Sequence, residues 1–240
     1  SEHGCKGGLM SGFAFCVLGS GSSGNCSLLQ IDSQRWVMID AGFSLRQTAS
    51  RMRTHNISLD DVGDVLLTHL DRDHFNPVWC RTIATRNIKV HLYEGHVERA
   101  LAAGLQPDSL LPFNTSVKLG CVTVETIHMA HDALGTVGFI FNHSGFRFGF
   151  ATDLGRVPES LLNAFTSLDA IAIESNYDPT MQSRSGRPEW LKERIMGGGG
   201  HLSNEESLAA IRMISSNSRL QHIVLLHLSQ QCNSPAIIRN

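Results

Sequence analysis

Thr68-His69-Leu70-Asp71-Arg72-Asp73-His74 gathers four side chains able to ligate metal within six positions. The segment follows an apolar run, Asp64–Thr68, that reads as a buried strand. In extended chain, His69 and Asp71 lie two apart and project to the same side. Asp73 and His74 come where the chain turns, so they can face a second point a few ångströms away. That spacing suits two neighbouring metal ions better than one. The plainer alternative is a solvated turn in which a histidine caps the next helix.

Four ligands do not complete two metal sites, so the remainder must come from distant positions. His131, Asp153 and His227 each follow an apolar strand-like run. They could therefore converge on one edge of a sheet structure. His128, at the end of the strand preceding His131, is the alternative to His131.

Strands that position these residues are expected at Phe13–Leu18, Cys26–Ile31, Trp36–Ile39, Asp64–Thr68 and Ile88–Leu92. Others are expected within Val117–Ile127, Thr136–Phe141, Phe146–Thr152, Ala170–Glu174 and His222–Leu226. Helices are expected at Phe43–His55, Gly95–Ala103, Pro158–Phe165 and Ser203–Ser215. The last begins with Ser203 and has Glu206 three residues on, the pattern of a capping box. Strands run in groups with helices interspersed, and the two halves share this grammar. Two sheets packed face to face with helices outside would satisfy it.

A chain of 240 residues, 42% hydrophobic and with formal charge −2, can build one sizeable core. Its charge gives no global attraction to nucleic acid or anionic membrane, so polyanion binding must be local. No apolar run reaches the roughly 18 residues of a membrane span. The start resembles no signal peptide. Cys5, Cys16, Cys26, Cys80, Cys121 and Cys232 form no CxxC pair, and they read as buried, reduced thiols of a cytoplasmic protein.

The order HxDxDH, then His, then Asp, then His resembles the metallo-β-lactamase superfamily, whose signature is usually HxHxDH. Gly19–Asn25, Ile39-Asp40-Ala-Gly42, His131-Asp-Ala133, Thr152-Asp-Leu-Gly155, Glu174-Ser-Asn176, Gly200–Asn204 and His227-Leu-Ser229 are similar to one branch, the YycJ/WalJ (VicX)-like hydrolases of the bacterial cytoplasm. The resemblance covers about residues 13–235. It implies an α/β fold, an αββα sandwich of two packed mixed β-sheets with outer helices. Residues 13–240 form that domain, and residues 1–12 are set apart as a disordered or non-native N-terminal stretch. Relatives generally continue past the last motif with a further helix and strand, so the chain is read as shortened there. The ligand set implied is His69, Asp71 and His131 for one metal, Asp73, His74 and His227 for the other, and Asp153 bridging. Four imidazoles and carboxylates without thiolate suit Zn²⁺ first, with Mn²⁺ or Fe²⁺ also admissible. Two such ions would lower the pKa of a shared water and neutralise charge on the attacked oxygen. Two departures stand out. Asp71 replaces the usual second His and makes the first site richer in oxygen. Tyr177 stands where the branch usually has His after Glu-Ser-Asn, so no histidine role is carried to it.

The remaining candidates face substrate. His201 follows the glycine run Gly197–Gly200 and opens a helix whose N–H groups favour an anion. It is a candidate catalytic residue with Asp73. Arg194, His201, Ser203, Asn204 and Asn176 are the candidate substrate contacts. Arg184, Arg187, Lys192 and Arg194 read as a solvated helix face or as a local phosphate-backbone contact. The function expected is phosphodiester hydrolysis by a metal-bridging hydroxide, with nucleic acid as partner. Alternatives are hydrolysis of a small ester, thioester or lactone, favoured by the near-neutral charge, a redox or non-catalytic metal module, and a scaffold inactivated by Asp71.

Overall fold

The computed structural model describes residues 14–129 and 134–238. The first sheet runs in the order β1 (Phe15–Gly19), β2 (Cys26–Gln30), β3 (Trp36–Ile39), β4 (Val62–Leu66), β5 (Lys89–Tyr93) and β6 (Leu110–Phe113). The second holds β7 (Ser116–Leu119), β8 (Val122–Met129), β9 (Thr136–His143), β10 (Phe146–Ala151), β11 (Ala170–Glu174) and β12 (His222–Leu226). Each sheet begins with antiparallel neighbours and ends with parallel ones.

Two-residue periodicity builds the sandwich. Leu29, Val37, Ile39 and Leu66 point one way and meet Val124, Phe139, Phe141, Phe150 and Ala172 of the other sheet in one buried cluster. Their chain neighbours Leu28, Met38, Val65 and Leu67 face the opposite side, against Met52 of α1 (Leu45–Arg53) and Trp79 and Ile83 of α2 (Trp79–Arg86). This cluster also takes in Ala100 of α3 (Val97–Ala102). On the second sheet Ile140, Ile171 and Ile173 pack outward on Leu161 of α4 (Glu159–Ala164). After α5 (Pro179–Arg184) and α6 (Glu189–Met196), Ala210, Ile211 and Ile214 of α7 (Asn204–Ser215) complete that layer. The last two helices are α7 and α8 (Pro235–Ile238). The layers are therefore helix, sheet, sheet, helix, as expected.

Several expected boundaries shift for local reasons. The stretch Val117–Ile127 is two strands, because Gly120 at φ 59° reverses the chain between β7 and β8. β6 carries Pro112 and escaped sequence reading, but as the edge strand it needs no donor on its open side. Gly95–Ala103 opens with a 3₁₀ turn, Glu94–His96, before α3. Cys16, Cys26, Cys80 and Cys232 are free thiols, but Cys121 is disulfide-bonded, which corrects the expectation of reduced thiols throughout. Among the described residues no helix is long and apolar enough to cross a membrane. The stretch 1–12 lies outside the described residues.

The carboxyl ends of the parallel strands converge, and the chain bends there by force. Asp40, Asp153 and His227 follow β3, β10 and β12 with φ of 60°, 54° and 56°. Such left-handed turns cost a non-glycine residue on the order of 1 kcal/mol each and swing the side chain off the strand line. The loop holding Asp73 is clamped from two sides. Asn25 N–H donates to the Asp73 carbonyl (2.7 Å), and Ala41 N–H donates to the His74 carbonyl (2.7 Å). Gly42 completes the clamp, because a Cβ there would lie 1.8 Å from the Asp73 carbonyl oxygen. Gly42→Ala is therefore expected to lower stability by about 1–3 kcal/mol, as an overpacked core does, and to reduce metal content. Thermal unfolding and metal analysis check this. Gly63→Ala, whose new methyl would meet nothing nearer than 3.8 Å, is the matched control.

Candidate metal centre and active site

Three histidines and two aspartates come together at this edge. His74 Nε2 lies 2.9 Å from Asp153 Oδ2 and 3.8 Å from Asp73 Oδ2. His227 Nε2 is 3.9 Å from the same Asp73 oxygen, and its Nδ1 is 3.3 Å from Asp153 Oδ1. The His69 and His74 rings are 4.0 Å apart at their centroids. Potential donor atoms fall into overlapping groups: His69, His74 and Asp153; Asp73, His74 and His227; and Asp153, Glu174, His201 and His227. Asp153, 3% exposed, belongs to two of them. Asp153 is therefore the carboxylate common to the His69–His74 side and the His227 side of the cluster.

Carboxylates behind the histidines set their tautomers. His74 Nδ1 is 2.7 Å from Asp40 Oδ2, and Thr68 Oγ1 holds both Asp40 oxygens (3.0 and 2.9 Å). His227 Nδ1 is 3.1 Å from Glu174 Oε1. A carboxylate at Nδ1 orients each imidazole and favours the tautomer whose Nε2 can give its lone pair to a metal. His227 Nε2 is buried and has no hydrogen-bond partner. A buried imidazole nitrogen without a hydrogen-bond partner, 3.9 Å from the Asp73 carboxylate, fits the role of a metal donor. The set of imidazole and carboxylate donors suits a divalent metal.

Charge balance says the same. Burial is the largest influence on Asp153 and opposes its ionisation, yet His227, His74 and His69 together hold its carboxyl well below the usual range. Burial likewise opposes charge on His74, but Asp153 and Asp40 lift it well above an ordinary histidine. His227 is also raised, by Asp153 and Glu174 against burial.

The expected ligands do not all behave alike. His69, Asp73, His74, Asp153 and His227 assemble. Asp71 borders the cavity, with Oδ2 at 3.8 Å from His69 Nε2, but its Oδ1 is 2.6 Å from Arg99 Nη2. His131 lies outside the described residues. His128, the alternative to it, is exposed, stacks on Tyr93 (4.5 Å) and approaches the Leu134 carbonyl (3.1 Å), so the structure engages it elsewhere.

Beyond the ligands, a cavity of about 460 Å³ opens, bordered by Asn176, Arg187, Arg194, His201 and Ser229. His201 is half-buried, its Nδ1 2.7 Å from Glu174 Oε1. The glycine run is no slack spacer, since a Cβ on Gly155 would strike the Gly198 carbonyl oxygen at 2.6 Å. Asn176 holds the His227 carbonyl (2.7 Å). Ser203 and Asn204, two of the expected substrate contacts, make hydrogen bonds within the scaffold. Ser203 exchanges hydrogen bonds with Glu206 in the capping box, so the start of α7 is already occupied by a carboxylate and does not offer an open anion site. Asn204 is tied to Ser175 and Asn233. Tyr177 is buried beside Ile195 and Cys232. Lys192 pairs with Glu189 and the Ser183 carbonyl, whereas Arg187 and Arg194 face the cavity.

Sequence reasoning gave no role to Asp40 or Glu174. Their signal was available: each is a carboxylate at or just past the end of an apolar strand, and Glu174 is fully buried. A buried Glu must have partners; it accepts from Leu154 N–H (2.6 Å) and Leu202 N–H (3.4 Å) and binds two histidines.

Glu174→Gln is expected to lower metal affinity about 10–100-fold, the usual loss when a ligand's carboxylate partner goes, as read by titration of the apo-protein. Metal must also displace protons from His74 and His227, whose pKa values lie above the ordinary 6.5. Apparent affinity should therefore rise as pH climbs through those values, with proton release falling away above them. Calorimetry in two buffers of different ionisation heat measures that release.

A family model described as the β-lactamase superfamily domain matches residues 35–227. The exodeoxyribonuclease YycJ of Bacillus anthracis is 28% identical over 95% of this chain and 87% of its own. The exodeoxyribonuclease WalJ of Streptococcus pneumoniae is 30% identical over 92% and 84%. In fold, the metallo-β-lactamase fold protein YhfI of Bacillus subtilis superposes with a TM-score of 0.72 at 12% identity, covering 94% of this chain and 89% of that one. The chain belongs to the metallo-β-lactamase superfamily, in the branch of the YycJ and WalJ proteins.

Proposed function

We propose that this chain is a dinuclear metal-dependent exodeoxyribonuclease. The observation that carries the reading is the buried His227 Nε2, without a partner and facing Asp73, beside a carboxylate shared by two donor groups. His69, Asp71 and His131 are assigned to one ion and Asp73, His74 and His227 to the other, with Asp153 between. Zn²⁺ fits this set, and the added oxygen of Asp71 admits Mn²⁺ or Fe²⁺. When bound, two divalent ions acidify water and neutralise charge growing on the phosphoryl oxygens.

The chain supplies proton management and orientation. Asp73, partly open to the cavity, is placed to accept a proton from the attacking water. Glu174 holds His201 by Nδ1 and so presents the opposite ring edge to the leaving group, where His201 can donate. Arg194 at the rim meets the polyanion. The local cations answer the objection from net charge: attraction need not be global when it is concentrated at the cavity.

Asp73→Asn should remove nearly all hydrolysis of DNA and of bis-p-nitrophenyl phosphate with the fold retained, since an amide can neither accept the proton nor ligate as well. Activity within about tenfold of wild type contradicts the assignment. His201→Ala should lower kcat more than it raises KM and leave metal content unchanged. The function itself is tested by end-labelled DNA with Zn²⁺, Mn²⁺ and Fe²⁺ in turn. Robust ester cleavage with no DNA turnover under any metal replaces this reading with the small-ester one.

A further inference from the structure

One wall of the cavity holds no metal ligand. It is made by the link from α5 to α6 and by the first turns of α6, and Arg187 lies in that link and borders the cavity. Its guanidinium is fixed at all three nitrogens. Nε donates to Gln231 Oε1 (3.2 Å), Nη1 to Gln182 Oε1 (3.0 Å) and Nη2 to Ser229 Oγ (3.3 Å). All three acceptors are neutral. Arg35, Arg86, Arg99 and Arg147, by contrast, each face a carboxylate. A guanidinium has five N–H donors, so these bonds leave one on each terminal nitrogen for a ligand, and among the described residues no carboxylate pairs with it.

The anchors fix where that charge sits. Ser229 and Gln231 belong to the loop that leaves β12 through His227. Arg187 is thereby indexed to the metal ligand itself. Gln182 is fully buried and cannot swing away. A cation held rigidly by neutral groups at a set distance from the reacting centre is built to take an oxyanion.

A second observation lies on the same wall. Trp190, on α6, is 64% exposed, the most exposed large apolar side chain among the described residues, whereas Trp79 is fully buried. It precedes Arg194 by one helical turn, so the two share a face. Leu191, Arg194 and Ile195 of the same helix border the cavity, and Trp190 adjoins Leu191 in sequence. An indole beside a cation is the pairing that holds an unpaired nucleotide, base on ring and phosphate on charge.

Resting on the nuclease reading above, we propose that Arg187 and Trp190 form a subsite for single-stranded DNA. Arg187 takes the phosphate of a nucleotide flanking the scissile bond, and Trp190 stacks on its unpaired base. The cavity, about 460 Å³, offers room for a single nucleotide beside the reacting centre.

The test compares metal-loaded wild type with Arg187→Gln, Arg187→Lys and Trp190→Ala. Kinetics are measured on a single-stranded oligonucleotide and on bis-p-nitrophenyl phosphate at several salt concentrations. Binding of a nuclease-resistant phosphorothioate oligo-dT is followed by tryptophan fluorescence. Arg187→Gln should raise KM for the oligonucleotide about tenfold more than for the small diester and flatten the log–log salt slope by about 0.7, one single-strand phosphate contact. Arg187→Lys should recover the slope but only part of the affinity, because the fork is lost. Trp190→Ala should weaken oligo-dT binding at least about fivefold, the low end of base–aromatic stacking, and abolish the quenching. An unchanged slope in Arg187→Gln, equal losses on both substrates, or undiminished oligo-dT binding by Trp190→Ala would overturn the subsite. If these binding differences persist in a protein that hydrolyses no DNA, the subsite stands and the nuclease reading falls.

Discussion

A fully enclosed carboxylate surrounded by imidazoles is the constraint around which this molecule is arranged. Asp153 sits where burial alone would keep it neutral, and His227, His74 and His69 keep it charged. Those histidines are themselves held by further buried acids, Asp40 behind His74 and Glu174 behind His227. Such a cluster is costly to desolvate. It persists because each charge meets an opposite one and because its backbone cannot relax. The left-handed turns at Asp40, Asp153 and His227 lock the strand ends, and the Asn25 and Ala41 clamps lock the loop of Asp73 and His74. Strain and desolvation are concentrated at one edge of the sandwich, and the apolar sheet interface offsets both.

That division of labour explains why both sheets are needed. The first sheet brings Asp40 and the His69–His74 loop to the edge; the second brings Asp153, Glu174 and His227. Val137 N–H donates to the Thr68 carbonyl (3.0 Å), a direct backbone tie between the two contributions. Neither sheet alone assembles a complete donor group of Asp73, His74 and His227. A metal bound there would act as a staple between halves of similar construction, coupling stability of the fold to loading of the site.

Much of this was legible in the residues. β3, β11 and β12 lie where the apolar runs place them, and the Ser203–Glu206 capping box forms as its spacing requires. The clustering residues at strand ends could be read because a polar residue after an apolar run must face something other than core. Other features were hidden for physical reasons. α2 starts at Trp79 after Val78, which offers no capping side chain and hence no start signal. The bonds of Ser203 and Asn204 within the scaffold, to Glu206 and to Ser175 and Asn233, depend on tertiary packing as well as on local spacing. Arg187 was indistinguishable from neighbouring cations, since what separates it from Lys192 is the charge of its partners, a tertiary property. Asp71 is the least expected. Its pairing with Arg99 depends on a helix distant in sequence, and it leaves one carboxylate oxygen toward His69.

The central claim is that Asp153 lies between two cations. Crystals of the protein loaded with Mn²⁺ and measured at the manganese absorption edge test it most directly. The account predicts two anomalous peaks about 3.5–4 Å apart, with Asp153 within bonding distance of both, His227 Nε2 on one and His69 on the other. A single peak, or a pair that does not share Asp153, would contradict it.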